Sequence, residues 1–222
     1  MTASPTAPAG PLRLVLASNN PGKLAELQTL FGGLALTLHA QGELGIAEAE
    51  EPHVSFVENA LAKARHASAG SGLAALADDS GLCVAALGGA PGVASAHFAA
   101  LDARDGASGP REARRARQDA ANNRQLIERL SGCDDRRASF VCALVAVRHA
   151  ADPQPLLAFG RWGGEILHAP RGNGGFGYDP LVFIPALGRS VAELSPEEKN
   201  ALSHRALAVR EMRALLQTQW LA

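Results

Sequence analysis

Apolar positions along the chain fall into short runs divided by polar turns, and their spacing switches between the strand period of two and the helix period of 3.6. Leu12 to Ala17 predicts a first buried strand, and Leu24, Leu27, Leu30 and Phe31 then recur at helical spacing. Leu34, Leu36 and Leu38 alternate with Ala35, Thr37 and His39, the pattern of a half-buried strand. Ser55-Phe56-Val57-Glu58 is a capping box that opens a helix to about Ala69, with Ala60, Ala64 and Ala67 as its apolar stripe. Leu73 to Ala77 predicts a buried strand that delivers Asp78, Asp79, Ser80 and Gly81, followed by a second apolar run and the Gly88-Gly89-Ala90-Pro91-Gly92 turn. Asp-Ser-Gly is also ordinary turn chemistry, so a turn at Asp79 is the plain alternative.

In the second half, Ala99 to Ala116 reads as a surface loop passing into a helix that Ala120 to Leu130 completes. Ala138 to Val147 and Leu156 to Trp162 predict paired strands around an Asp152-Pro153 turn. A glycine-rich loop, Arg171 to Pro180, leads into the apolar Leu181 to Ile184. Ser195-Pro196-Glu197-Glu198 starts a further helix, and an amphipathic closing helix runs to Trp220. Strands alternating with helices predict an α/β fold.

The bulk numbers narrow the function classes. With 222 residues, 47% of them hydrophobic and 19% charged, the composition is that of an ordinary globular protein. A net charge of −1 argues against a general polyanion binder, and no apolar run reaches the length of a membrane span. The Pro/Ala/Ser/Thr-biased residues 1–11 have no positively charged start and no apolar core, and read as a disordered tail rather than a signal peptide. Cys83, Cys133 and Cys142 show no CxxC spacing and read as buried reduced thiols of a cytoplasmic protein, and the histidines have no partner at zinc-ligand spacing. The arginines at 111, 114, 115 and 117 read as a solvated basic face.

Several polar segments carry candidate chemistry. The first strand turns directly into Ser18-Asn19-Asn20-Pro21-Gly22-Lys23, with Asn20 as N-cap and Pro21 in the first helical turn. The free N–H groups and positive dipole end of that helix favour an anion, although no Walker A pattern is present. An acidic loop, Glu43 to Glu51, is either a solvated cluster or a source of one metal-binding carboxylate. Asn59, Lys63 and His66 form a polar stripe that is either solvated or borders a cleft, where Lys63 would reach a phosphate. In the glycine-rich loop an aromatic could stack on a base, with a neighbouring carboxylate at the base edge; the bland alternative is a hairpin with its aromatics in the core.

Taken together, SNNPGKLAEL, SFVENALAKARHA, ADDSGL with GGAPGV, GGFGYDP and SPEEKNALSHRA closely resemble the inosine/xanthosine triphosphate pyrophosphatase family, in the family's order and over about Leu12 to Leu216. The resemblance implies a single domain over 12–222, with a long mixed twisted sheet flanked by helices and two lobes around a central active-site cleft. It also implies a homodimer and a Mg²⁺-dependent conversion of a non-canonical purine triphosphate into the monophosphate and pyrophosphate. By this carry-over Ser18, Asn19, Asn20, Pro21, Gly22 and Lys23 hold the phosphates, assisted by Lys63. Asp79 is the catalytic carboxylate and a metal contact, with Ser80 beside the substrate; Glu50, next to Glu51, is the second metal contact. Phe176, within the Gly177-Tyr178-Asp179 run, stacks on the purine, while Asp179, Lys199, His204 and Arg205 read its edge. Strand alternation lets only one of Asp78 and Asp79 face the cleft, and the family pattern selects Asp79. A pyrophosphatase for modified pyrimidine triphosphates, or a nucleotide-binding regulator without catalysis, are the competing expectations. The sequence departs from the family at Ser95-Ala96-His97-Phe98, where an arginine and a tyrosine are usual in place of His97 and Phe98.

Overall fold

The computed structural model describes residues 10–101 and 110–221, so most of the Pro/Ala-rich tail and part of the Ala99–Ala116 loop lie outside the described residues. The strands are β1 (Leu12–Leu16), β2 (Leu36–Ala40), β3 (Ala74–Val84), β4 (Arg137–Val147), β5 (Leu156–Ile166), β6 (Val182–Ile184) and β7 (Arg189–Ser190). The α-helices are α1 (Pro21–Phe31), α2 (Phe56–Ser71), α3 (Arg111–Arg129), α4 (Pro196–Leu202) and α5 (His204–Gln219). The strands form one sheet in the order β2-β1-β3-β4-β5-β6-β7. β1 pairs in parallel with β2 and β3, and every pairing from β3 onward is antiparallel, so the sheet is mixed. No helix among the described residues is long and apolar enough to cross a membrane.

The alternation of the strands divides the core between the two faces of the sheet. Leu14, Leu16, Leu76 and Leu144 pack with Leu27 and Phe31 of α1 and with Val209, Met212 and Leu216 of α5. Val15, Ala75, Ala77 and Val145 point the other way, onto Ala60, Ala64 and Ala67 of α2. The small alanine stripe lets α2 lie close to the sheet, which brings the polar residues beside that stripe to the end of β1 and the middle of β3. Beyond these layers, Leu126 of α3 and Leu130 at its C-cap pack with Leu82, Phe140, Leu181 and Val182.

Two expectations change. There is no turn at Asp79: β3 runs through Asp78, Asp79, Ser80 and Gly81, paired with Leu144, Ala143, Cys142 and Val141 of β4. The polar side chains do not break the strand because each has a partner on its own face, while the backbone pairs with an apolar, nearly fully buried β4. The two expected C-terminal helices meet at Ser203, which ends α4 and caps α5 by accepting a hydrogen bond from the Ala206 N–H at 3.2 Å. Finally, α3 starts at Arg111, so the arginine burst is helical rather than loop.

Candidate active site

The β1–α1 connection builds the first part of the site. The Asn20 side chain accepts from the Lys23 backbone N–H at 3.2 Å, and Ser18 Oγ accepts from the Asn20 N–H at 3.2 Å. With Pro21 at the helix start, the first turn of α1 opens at the C-terminal end of a buried parallel strand. Lys23 projects across to β3, where its Nζ lies 2.5 Å from Asp78 Oδ1.

Asp78 and its partners form a buried chain of alternating charge. Arg205 Nε lies 3.3 Å from Asp78 Oδ2 and its Nη2 donates to Ser80 Oγ at 3.0 Å, while Nη1 pairs with Glu26. Glu26 also pairs with Lys199 at 3.0 Å, and Lys199 Nζ donates to Asp179 Oδ2 at 2.8 Å. The Arg205 guanidinium is buried, and its charge is stable there because two carboxylates face it. Burial alone would raise the Asp78 carboxyl, but Lys23 and Arg205 hold it well below the usual carboxylate range. Against burial, the same carboxylates raise Arg205. Burial raises Cys142, whose Sγ lies 3.0 Å from Asp78 Oδ2, well above an ordinary thiol.

Asp79 points to the α2 side. Lys63 Nζ donates to Asp79 Oδ1 at 2.8 Å and lies 3.3 Å from Glu51 Oε2. The polar stripe of α2 therefore holds the acidic loop in place. Asn59 is buried, takes both the N–H and the C=O of His53, and reaches Asp79 Oδ2 at 3.5 Å. His66 Nε2 lies 3.0 Å from the Ala47 carbonyl oxygen. Burial pushes the Asp79 carboxyl up to about 6 even with Lys63 and Lys23 opposing, and Glu51 adds to the rise. Lys63 is raised: burial lowers it, but Asp79 and Glu51 more than offset that.

The glycine-rich loop closes the other end. Phe176 N–H donates to Asp179 Oδ2 at 2.9 Å, and Lys199 Nζ stands 4.4 Å from the centre of the Phe176 ring. Gly175 has φ +71° and packs so tightly on the Asp179 carboxylate that a Cβ would overlap it. Burial raises the Asp179 carboxyl, with Lys199 offsetting part of the effect. The Phe176 ring lies against α1, where a Cβ on Gly22 would stand 3.1 Å from it. The Phe176 ring and the first turn of α1 are thus neighbours.

The Ham1 family model matches residues 14–215. The chain belongs to the Ham1 family. It is 68% identical to the dITP/XTP pyrophosphatase of Methylibium petroleiphilum over 95% of this chain and 100% of that one. It is 63% identical to the dITP/XTP pyrophosphatase of Leptothrix cholodnii over 94% and 99% of the two chains. The solved HAM1 protein of Coxiella burnetii superposes with a TM-score of 0.81 at 44% identity, covering 93% of this chain and 99% of that one.

In this Ham1 chain the predicted site residues do not all take equivalent places. Ser18 to Lys23, Ser80, Asp79, Lys63, Phe176, Gly177, Asp179, Lys199 and Arg205 converge at the C-terminal end of β1, the middle of β3 and the start of α5. In the acidic loop Glu50 and Glu51 are both exposed, and it is Glu51 that reaches Lys63. Tyr178 turns into the core and donates its hydroxyl to the Ser95 carbonyl at 2.9 Å. His204 is buried and stacks on Phe140, with ring centres 4.9 Å apart. Burial, with Arg205 beside it, lowers its pKa well below the ordinary histidine value, and its Nδ1 has no hydrogen-bond partner among the described residues.

Asn59 belongs to the polar stripe expected to border a cleft, whereas Glu26 and Cys142 were not among the expected site residues. Glu26 carried a usable signal, since it lies three residues after Lys23 and so on the same face of α1. Cys142 had none, because only strand register places it opposite Ser80 and beside Asp78.

Proposed function

We propose that this chain hydrolyses non-canonical purine nucleoside triphosphates, those of inosine, deoxyinosine and xanthosine, to the monophosphate and pyrophosphate, and so clears them from the nucleotide pool. The observation that carries the reading is the placement of Phe176 against Gly22: a stacking platform and a phosphate-favouring helix start share one site, with Asp79 and Lys63 close by. Relatives bearing the name dITP/XTP pyrophosphatase at up to 68% identity support it.

In this reading Ser18 to Lys23 receive the phosphates, with Lys23 adding positive charge. Asp79, held at about 6 and therefore ionised at neutral pH, takes the proton of a water attacking the α-phosphorus. The bond from that phosphorus to its bridging oxygen breaks, and the electron pair leaves with pyrophosphate. Phe176 stacks on the base. Lys199, His204 and Arg205 favour the 6-keto acceptor of the purine over an amino group, because a mismatch leaves buried donors unpaired. The unpaired Nδ1 of His204 is an atom suited to that task.

Mg²⁺ fits the residues present. Asp79 and Glu51 converge on a single ammonium, and the described residues contain no cluster of three or more ligands that could hold an ion without the substrate. One or two carboxylates with substrate phosphates and water are how Mg²⁺ is usually held. When bound, it supplies charge neutralisation at the phosphates. We further read the chain as one domain over residues 12–222, acting as a cytoplasmic homodimer.

The test incubates the purified protein with inosine triphosphate and Mg²⁺, with ATP, GTP and a modified pyrimidine triphosphate in parallel, and measures pyrophosphate separately from orthophosphate. Pyrophosphate from the inosine substrate, with little from ATP or GTP, is expected. Orthophosphate as product, or preference for the pyrimidine, overturns the reading; tight binding without turnover favours a regulator.

A further inference from the structure

Arg115, Asp119 and Asn123 recur every four residues on α3 and so lie along one face of it. That face meets the glycine-rich loop at the residues that present Phe176. Asp119 Oδ2 accepts from the Gly177 N–H at 3.0 Å, and Asn123 Nδ2 donates to the Gly177 carbonyl at 3.0 Å. The Arg115 guanidinium carbon stands 5.1 Å from the centre of the Phe176 ring. Both backbone polar groups of Gly177 are therefore taken by one helix, and the ring next to it meets a cation from the same helix. Arg115 is partly buried there, not a member of a freely solvated basic face.

The adjacent face of α3 is anchored to the catalytic strand. Asn122 Nδ2 donates to the Ser95 and Ala96 carbonyls at 3.2 and 3.1 Å, and Ser95 Oγ accepts from the Leu82 N–H of β3 at 2.9 Å. A segment flanked by Gly175 at φ +71° and Gly177 at φ +64° has little intrinsic preference for one conformation. Its ring needs an external hold if it is to be a ready-made platform.

We propose that the Arg115–Asp119–Asn123 face of α3 positions Phe176 for the base, making these three positioning residues for substrate recognition. The proposal rests on the reading of Phe176 as the base platform. Because α3 touches the base side of the site and not the Asp79–Lys63 pair, it acts on binding of the base and leaves the chemical step alone.

Asp119→Ala, Arg115→Ala and Asp119→Asn, the last keeping an acceptor oxygen, are compared with the parent protein. The alanine variants are expected to raise KM for inosine triphosphate roughly three- to tenfold with kcat within about twofold. Asp119→Asn recovers most of the loss. Competitive inhibition by inorganic tripolyphosphate, which has no base to stack, stays unchanged in all of them. In the absence of nucleotide, the Gly177 amide exchanges faster with solvent in Asp119→Ala, while the amides of β3 and β4 keep their protection. Equal losses for inosine triphosphate and tripolyphosphate, or an unmoved KM together with unmoved Gly177 exchange, overturn the proposal. If the parent protein turns over no triphosphate, the functional reading fails, and Gly177 exchange still decides whether α3 holds the loop.

Discussion

Asp78 and Asp79 are consecutive residues of one strand, yet they belong to different charge networks. Asp78 Oδ1 lies 2.5 Å from Lys23, on the side of α1 and α5; Asp79 Oδ1 lies 2.8 Å from Lys63, on the side of α2. The two-residue alternation of β3 separates them, and their surroundings push their acidities in opposite directions.

That opposition gives the two carboxylates opposite pH signatures. The folded pKa of Asp79 is raised to about 6, so its contribution to stability is full below the unfolded value and is lost as pH rises through about 6. Asp78 is lowered, so its contribution is full above the unfolded value and is lost as pH falls through the lower folded one. In thermal unfolding across a pH series, Asp79→Asn is expected to remove part of the decline between about pH 4 and 6. Asp78→Asn is expected to remove part of the loss on the acid side of that range. Curves parallel to the parent in both variants contradict the assignment.

The acidic loop offers neighbouring carboxylates of unequal standing. Both are exposed, and Glu51 pairs with the lysine that holds Asp79. Glu51→Gln is expected to raise the Mg²⁺ concentration needed for half-maximal pyrophosphate release by about tenfold or more, with Glu50→Gln close to the parent. A metal titration of initial rates checks this, and the reverse order would restore Glu50 to the role.

Arg205 faces Asp78 and Glu26 together, and removing it leaves buried carboxylates short of a partner. Arg205→Ala is expected to cost about 3–5 kcal/mol in urea unfolding. A double-mutant cycle with Glu26→Gln should show coupling, because Glu26 without Arg205 retains only Lys199 from this group. Additive losses would mean that the pair contributes independently.

Gly160 lies in β5 directly beneath the first turn of α5, where a Cβ would overlap the His204 carbonyl oxygen and stand 2.8 Å from the Ala208 nitrogen. Both neighbours are backbone, so the helix must move. Gly160→Ala is expected to destabilise by about 1–3 kcal/mol or more. It should also weaken activity, because α5 carries His204 and Arg205. Denaturant midpoints and initial rates measured on the same preparations test both halves.

What the chain determines by local pattern alone is extensive. The apolar runs mark β1 and β4, the Asn20 and Ser55 caps mark the starts of α1 and α2, and the ordered polar blocks mark the family. These signals are legible because capping, strand alternation and helical spacing depend on neighbours a few residues apart. The tertiary structure decided the rest. Whether Asp78-Asp79-Ser80-Gly81 turns or continues could not be read locally, since the outcome rests on Lys23, Lys63 and Arg205 supplying partners from other elements. The same holds for the choice of Glu51 over Glu50 at Lys63, for Tyr178 turning inward to Ser95, and for Arg115 leaving the solvated face to meet Phe176. A charged side chain in a sequence states only its charge; which counter-charge it meets, and whether water is excluded there, is set by packing between segments far apart in the chain.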